Sequence, residues 1–491
     1  MNNGAVPACR VRRCNDRPLN ANGEFVLYWM IANRRPHWNF ALDRAIEHAV
    51  GLSKPIIVLE PLRVDYPWAS DRLHRFVMDG MLEHARHFRG TKVRYYPYVE
   101  PSPGAGAGLL SALADRACIV ITDEFPAFFL PKMVASASKH VNCGMEQVDS
   151  NGLLPIHKTD RAFGTAHAFR RFLQQELPRC LAVFPRAMPL AHADLPIHGG
   201  LPADIVERWP LADPEWLDQS RHAERTLPID HGVSAVEDQG GFEQAERHAL
   251  NFLSRRLHSY AEERHHPDSD ASSKLSPWLH FGHISTHFIF SELAADAGWD
   301  SAQLSNKPTG ARSGWWHMDE NREAFLDQIV TWRELGFNMC AQRDDFDSYQ
   351  SLPAWALRTL GEHARDKRPY IASYEQLERG QSPDGLWNAA QTQLRKEGRI
   401  HNYLRMLWGK KILEWSESPE EALKAMIELN NKYAVDGRDP NSYSGIFWVL
   451  GRYDRPWGPE RPIFGKIRYM TSGSARRKLQ LEDYLSRYGS D

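Results

Sequence analysis

DGLWNAAQ (384–391), IHNYLRMLWGKKILEW (400–415), LNNKYAVDGRDPNSYSGIFWVLGRYDRPW (429–457) and ERPIFGKIRYM (460–470) place Trp387, Trp408, Trp415, Trp448 and Trp457 within one domain's length. Acidic and basic residues sit between these tryptophans. Trp408 and Trp415 are two turns apart on one helical face, about 10 Å along the axis. That spacing suits a helical core stripe. It equally suits a site that holds a flat aromatic cofactor and passes electrons along indoles.

Outward from this stretch the pattern is helical from Phe242 to the end: FEQAERHALNFLSRRLHSYAEER is amphipathic, and LSPWLHFGHISTHFIFSELA opens with Pro at a helix N1 position. Residues 241–491 therefore read as an all-α domain. Toward the N-terminus, FVLYWMI (25–31), PIIVLE (55–60), VRYYPYV (93–99) and CIVITDE (118–124) are short apolar runs that alternate with helical patterns at 39–51, 70–89 and 107–116. Buried strands alternating with amphipathic helices make residues 23–150 a Rossmann-like α/β domain with a parallel sheet. Gly104, Gly106 and Gly108 imitate a phosphate loop but read as a loop before a helix. Residues 1–22 are expected to be a flexible tail, and residues 151–240 a connector over the surface, with one helix in HKTDRAFGTAHAFRRFLQQELP followed by repeated prolines and acids.

The bounds are those of a soluble protein of several domains: 491 residues, 42% hydrophobic and 25% charged. No apolar run reaches a membrane span, and the first residues lack a signal peptide's apolar core. Six scattered cysteines without CxxC spacing read as reduced thiols, with no metal site, in a cytoplasmic protein. The net charge of −2 does not announce a nucleic-acid binder, but Arg461, Lys466, Arg468, Arg476, Arg477 and Lys478 form a run without Asp or Glu among them. Such a strip is either a solvated face or a contact surface for phosphates.

LWNAAQ (386–391), RMLWGKKILEW (405–415), LNNKY (429–433), DGRDPN (436–441) and FGKIRYM (464–470) occur in the order and spacing of the class II cyclobutane pyrimidine dimer photolyases, and the chain resembles a divergent member of that photolyase/cryptochrome family. The resemblance covers residues 240–480 well and 25–130 loosely. It implies an α/β antenna-type domain followed by a helical domain that binds FAD, a monomer, and light-driven repair of ultraviolet-damaged DNA. It also implies a possible second, antenna chromophore of unknown identity. The family's flavin pocket maps onto Tyr260, Leu275, Ser276, Pro277, Leu279, Trp332, Glu334, Asn338, Arg405, Asn430, Asp436 and Gly437. In that mapping Arg405 and Asp436 pair beside the ring and Asn430 meets its N5 edge. Trp408, Trp387 and Trp415 take the proximal, middle and distal places of the electron-transfer triad. Trp332 and Trp448 match the pair that receives a flipped-out dimer, Met406 lines the same cavity, and the basic strip contacts DNA.

Two positions depart from the family. Gln328, four before Trp332, stands where class II has a Glu that bonds the damaged base, and His265 in RHHP replaces an Asn. Gln can donate one hydrogen bond but cannot lend a proton. His280, His283 and His287 raise the acid chemistry of (6-4) lesions as an alternative to packing roles. The expected function is repair of cyclobutane dimers. A (6-4) photolyase and a cryptochrome-type photoreceptor are the alternatives.

Overall fold

The computed structural model describes residues 5–191, 193–197, 199–218 and 226–489. Six strands, β1 (Val11–Arg13), β2 (Phe25–Trp29), β3 (Ile56–Leu62), β4 (Arg94–Val99), β5 (Ala117–Asp123) and β6 (Gly144–Val148), form one sheet in the order β1-β6-β5-β2-β3-β4. All pairs are parallel except β1 with β6. Every residue of β2 and β5 is buried, as their unbroken apolar runs require for a sheet covered on both faces. Leu27 lies between Ile57 and Val120 at the centre of the ladder. Helices Phe40–Leu52, Asp71–Arg89, Leu109–Ala114 and Leu130–His140 alternate with the strands.

A parallel sheet of this order has its switch point between β2 and β5, the usual place for a ligand's phosphate. Here the chain fills that place itself. The N–H groups of Ile31, Ala32 and Asn33 all donate to Asp123 Oδ2 at 2.8, 2.8 and 3.0 Å, and Tyr28 donates to Oδ1 at 2.7 Å. A carboxylate seated in this backbone nest excludes a dinucleotide phosphate from it.

Two compact units divide the chain: Met1–Thr159 with Glu176–Asn251 and Leu275–Ala302, and Asp160–Gln175 with Phe252–Lys274 and Gln303–Asp491. The second is helical throughout its named elements. Three expectations change. Residues 1–4 lie outside the described residues, but the rest of the presumed tail is anchored: β1 pairs with β6, and buried Arg10 bonds Asp149 and the carbonyls of Gly152 and Leu153. Residues 151–240 hold the expected helix, Ala166–Cys180, but do not run only over the surface where described: Leu195, Trp209, Leu217, Leu227 and Val233 are buried. Residues 192, 198 and 219–225 of that stretch lie outside the described residues. Finally, Leu275–Ala302 joins the first unit although its pattern is helical, so LSPWL does not belong to the helical unit.

Candidate functional site

In the helical unit, helix Gly385–Glu397 starts at Asp384, whose carboxylate accepts from the N–H groups of Leu386 and Trp387 at 3.1 and 3.2 Å. This cap satisfies donors that a helix leaves open at its first turn, and it fixes Trp387. The Trp387 indole donates to the Trp408 carbonyl at 2.9 Å, and the Trp408 indole donates to Gln391 Oε1 at 2.9 Å. Trp387 meets Trp415 edge to face, with centroids 5.4 Å apart at 74°. The three indoles are 0%, 2% and 3% exposed. The three indoles are thus buried together, with Trp387 linked to the Trp408 backbone by a hydrogen bond and to the Trp415 ring by direct contact. The half-buried Tyr370, absent from the sequence reading, lies 6.1 Å from Trp415.

Helix Asn402–Trp415 carries Trp408 and Trp415 and meets its neighbours at Gly409. A Cβ there would lie 2.5 Å from Val449 and 3.0 Å from the Met426 sulfur. Only glycine lets helices Pro419–Tyr433 and Pro440–Val449 close on this one. The next residue, Lys410, is buried and bonds the Val449 carbonyl at the end of helix Pro440–Val449. Burial pushes its ammonium down to about 7.

Helix Pro419–Tyr433 ends in a turn that folds back over its own last residues. Arg438, in the left-handed region at φ 68°, sends its guanidinium onto the carbonyls of Asn431 and Val435 at 2.8 and 3.1 Å. A cation on the open carbonyls of a helix C-terminus is favourable. Gly437 has no room for a side chain, since a Cβ would sit 2.9 Å from the Asn430 carbonyl oxygen. The turn brings Asp436 within 3.8 Å of Arg405, a long ion pair, and leaves Asp436 Oδ1 buried without a hydrogen-bond partner. Asn430, 3% exposed, donates through Nδ2 to Ser442 Oγ at 2.8 Å and Asn431 Oδ1 at 3.2 Å. An unmatched buried carboxylate oxygen is costly, so the site asks for a ligand with N–H groups. That acceptor, the Arg405 guanidinium and the Asn430 carbonyl suit the polar edge of an isoalloxazine.

Trp332 and Trp448, both half-buried, stack face to face with centroids 4.6 Å apart at 15°. A base between them would need about twice the ~3.4 Å stacking distance, so the pair is a single aromatic wall and not a clamp. Glycine again sets the approach: a Cβ on Gly336 would lie 2.8 Å from the Pro440 carbonyl oxygen and 2.9 Å from Ser444 Oγ. Asp327–Trp332 form a π-helical turn, a local widening often found at functional sites. Asp327 is tied to Arg170 at 2.8 Å. Gln328 is half-buried, and its amide has no hydrogen-bond partner among the described residues. Met406 is half-buried as well.

Several sequence candidates are otherwise engaged. Asn338 bonds Phe163 N and the Arg161 carbonyl at 3.1 and 2.9 Å, so its amide holds the 160–175 segment in place. Glu334 is 5% exposed. Tyr260 packs against Phe252 and Phe325, and burial raises its phenol. In the other unit, Leu275, Pro277 and Leu279 are buried and Ser276 is exposed. His283 and His287 are there too, fully buried and held well below the ordinary imidazole value by desolvation. Desolvation also lowers His265. Each of these rings gives up its proton more readily than an ordinary imidazole.

All six residues of the basic strip are exposed, but three of them already have partners. Lys466 pairs with Glu460 at 3.1 Å, just outside the run. Arg461 lies over Tyr469 and Arg468 over Trp457. Arg476, Arg477 and Lys478 are exposed in the last turn of helix Ser472–Lys478, which the Ser472 hydroxyl ties to Asp384. In the α/β unit, the loops after β3 and β5 gather half-buried Tyr66, Trp68, Phe128 and Phe129, with Trp68 and Phe128 stacked at 6.0 Å. No metal-binding cluster occurs among the described residues, and no helix among them is long and apolar enough to cross a membrane.

No family model matches the chain. It is 32% identical over 483 residues to the deoxyribodipyrimidine photo-lyase of Methanothermobacter thermautotrophicus, covering 98% of both chains. It is 31% identical over 476 residues to the protein of that name from Potorous tridactylus, covering 96% of this chain and 82% of the other. With the one from Arabidopsis thaliana it shares 29% over 481 residues, 96% and 90% of the two chains. Among solved structures, a bacterial class III photolyase from Agrobacterium tumefaciens aligns with a TM-score of 0.69 at 16% identity, over 95% of this chain and 86% of that one. At that identity the likeness concerns the fold.

Proposed function

The chain belongs to the deoxyribodipyrimidine photolyases, and from that premise we propose that it repairs cyclobutane pyrimidine dimers in DNA under light, as a class II member working as a monomer in the cytoplasm. The observation that carries the reading is the half-exposed Trp332–Trp448 stack, with the unpartnered Gln328 amide four residues before Trp332. A dimer joins neighbouring pyrimidines and must leave the duplex to be reached, and a distorted step costs less to flip. The indole wall takes the flat face of the flipped lesion. Gln328 donates to a pyrimidine carbonyl, and Met406 closes the apolar side.

FAD, when bound, supplies the light-absorbing electron donor for a loan of one electron to the lesion and back. Asp436 and Asn430 accept from its polar edge, Arg405 balances charge there, and Gly437 lets backbone approach. The buried Trp408, Trp387 and Trp415, with Trp387 bonded to the Trp408 backbone and edge to face with Trp415, serve to restore the donor's reduced state. Arg461, Arg468, Arg476, Arg477 and Lys478 neutralise phosphates. Lys466 adds less, because Glu460 already answers it. A second chromophore, where one is carried, is assigned to the aromatic cluster of Tyr66, Trp68, Phe128 and Phe129.

The test is illumination of the purified, chemically reduced protein with oligonucleotides that carry a cyclobutane dimer, a (6-4) product or no lesion. Repair of the dimer alone is expected. Lesion-blind binding without repair would overturn the reading in favour of a photoreceptor. Repair of the (6-4) substrate alone would overturn the lesion class.

A further inference from the structure

Asn431 is the residue after the proposed cofactor contact, and its side chain settles which way that contact points. The backbone N–H of Arg438 donates to Asn431 Oδ1 at 3.0 Å. A backbone N–H can only donate, so the atom it meets must be the amide oxygen. The Asn431 nitrogen then faces the Tyr443 hydroxyl at 3.3 Å. Asn430 approaches the same Asn431 oxygen at 3.2 Å, so the approaching atom must be a donor, Nδ2. The second Nδ2 hydrogen goes to Ser442 Oγ at 2.8 Å. Both Asn430 hydrogens are therefore spent, and its Oδ1 is left without a partner among the described residues.

We propose that Asn431 is a positioning residue that locks Asn430 as a hydrogen-bond acceptor, so that the site selects the form of its ligand that presents an N–H. The inference rests on the flavin reading above. N5 of reduced flavin carries a hydrogen and N5 of oxidised flavin carries a lone pair, so a fixed carbonyl attracts the first and repels the second. A free amide would rotate and serve either form. The lock needs a side chain on Asn431 that accepts from Arg438 and Asn430 at once, and the Arg438 N–H is placed by the tight turn through Gly437. Asn431 is 0% exposed, so it acts only through Asn430.

The experiment is a double-mutant cycle read by the midpoint potential of the bound flavin. Asn430→Ala is made in three backgrounds: wild type, Asn431→Ala and Asn431→Asp. In wild type the loss of a fixed acceptor should lower the preference for reduced over oxidised flavin about tenfold. That corresponds to about 30 mV for a two-electron couple. In the Asn431→Ala background the same change should move the potential less than about a third as far, because the amide no longer points one way. In the Asn431→Asp background the acceptor is retained, and the full shift should return whatever offset the new charge adds. An Asn430→Ala effect of equal size with Ala at 431 would overturn the lock. So would loss of the effect with Asp at 431, which decides the matter if the Ala variant does not fold. A wild-type protein that binds no flavin would overturn the flavin reading itself, an outcome distinct from either.

Discussion

Gly336→Ala puts one methyl group where helices Arg333–Gln342 and Pro440–Val449 touch. The new Cβ would lie 2.8 Å from the Pro440 oxygen, 2.9 Å from its carbonyl carbon and 2.9 Å from Ser444 Oγ, where ordinary contact begins at 3.4 Å. Two of the three atoms are backbone, and Ser444 Oγ is held by its own bond to the Pro440 carbonyl at 3.1 Å, so no rotamer change relieves the clash. The helices must part by about half an ångström, and overpacking of this kind costs about 1–3 kcal/mol. For a unit of this size each kcal/mol moves the thermal midpoint by roughly 2–4 °C. Trp332 and Trp448 lie one turn from the clash on the same two helices, so their 4.6 Å stack should loosen too. Thermal unfolding and the coupled-indole signal in circular dichroism are the assays. Gly361→Ala is the contrast, because nothing lies within 4 Å of its Cβ, and there the better helix propensity of alanine should stabilise by about 0.5–1 kcal/mol. A Gly336→Ala protein with the parental midpoint and the parental indole signal would refute the packing argument.

Trp387→Phe should stop photoreduction of oxidised flavin, since it removes the middle indole and its bond to the Trp408 carbonyl, while chemically reduced protein still repairs; parental photoreduction rates would make these indoles plain core. Asp436→Ala should lower flavin content by about tenfold, the worth of one charge-assisted hydrogen bond, as measured by cofactor retained after gel filtration. Lys410 gives stability a pH dependence. Its folded-state value of about 7 lies below the unfolded one, so the unfolded chain binds the extra proton and stability rises from pH 7 toward 10, by up to about 1.4 kcal/mol per unit. Urea titrations at several pH values should find that slope absent in Lys410→Met. Gln328→Glu should raise the yield of dimer repair with little change in DNA affinity, and single-turnover repair that vanishes in this variant would contradict the role given to Gln328.

The central strands were legible because burial on both faces leaves continuous apolar runs such as FVLYW. β1 and β6 were not, because VRR, at the sheet edge, and GMEQV, next to it, mix charged or polar residues with apolar ones. Partnership, not composition, makes them strands. The connector was misread for a related reason. Prolines and acids mark irregular backbone, but irregular backbone can still bury Leu195 and Val233. Within the site, motif positions named the tryptophans, and their contacts then followed from caps and glycines that no periodicity announces. Gly336 and Gly409 look like helix-weakening residues until the neighbouring helix is in place. Asn431 was visible beside Asn430 in LNNKY, yet its role depends on a turn that returns Arg438 to it. Lys466 shows the opposite error, where a run free of acids along the chain meets Glu460 in space.

The same geometry narrows the chemistry open to the lesion. Asp327 is held by Arg170, His283 and His287 are buried and neutral in the other unit, and His265 is lowered by its own desolvation. None of these three rings is thus an acid of ordinary imidazole strength. On the function proposed above, binding works through the neutral Gln328 amide and the aromatic wall, both indifferent to pH. Acid-assisted rearrangement of a (6-4) product needs a proton at a stated atom, whereas splitting a cyclobutane ring by a borrowed electron does not. A neutral amide can therefore serve the second reaction on the proposed reading, with Gln328 contributing orientation where a carboxyl group would also contribute a proton. On this argument the pH profile of dimer repair should be flat between about 6 and 8 in the parent, and should acquire a carboxylate-like inflection only in Gln328→Glu. An inflection near the histidine range in the parent would mean that one of these rings is charged in the working enzyme, and would return the lesion class to the (6-4) alternative.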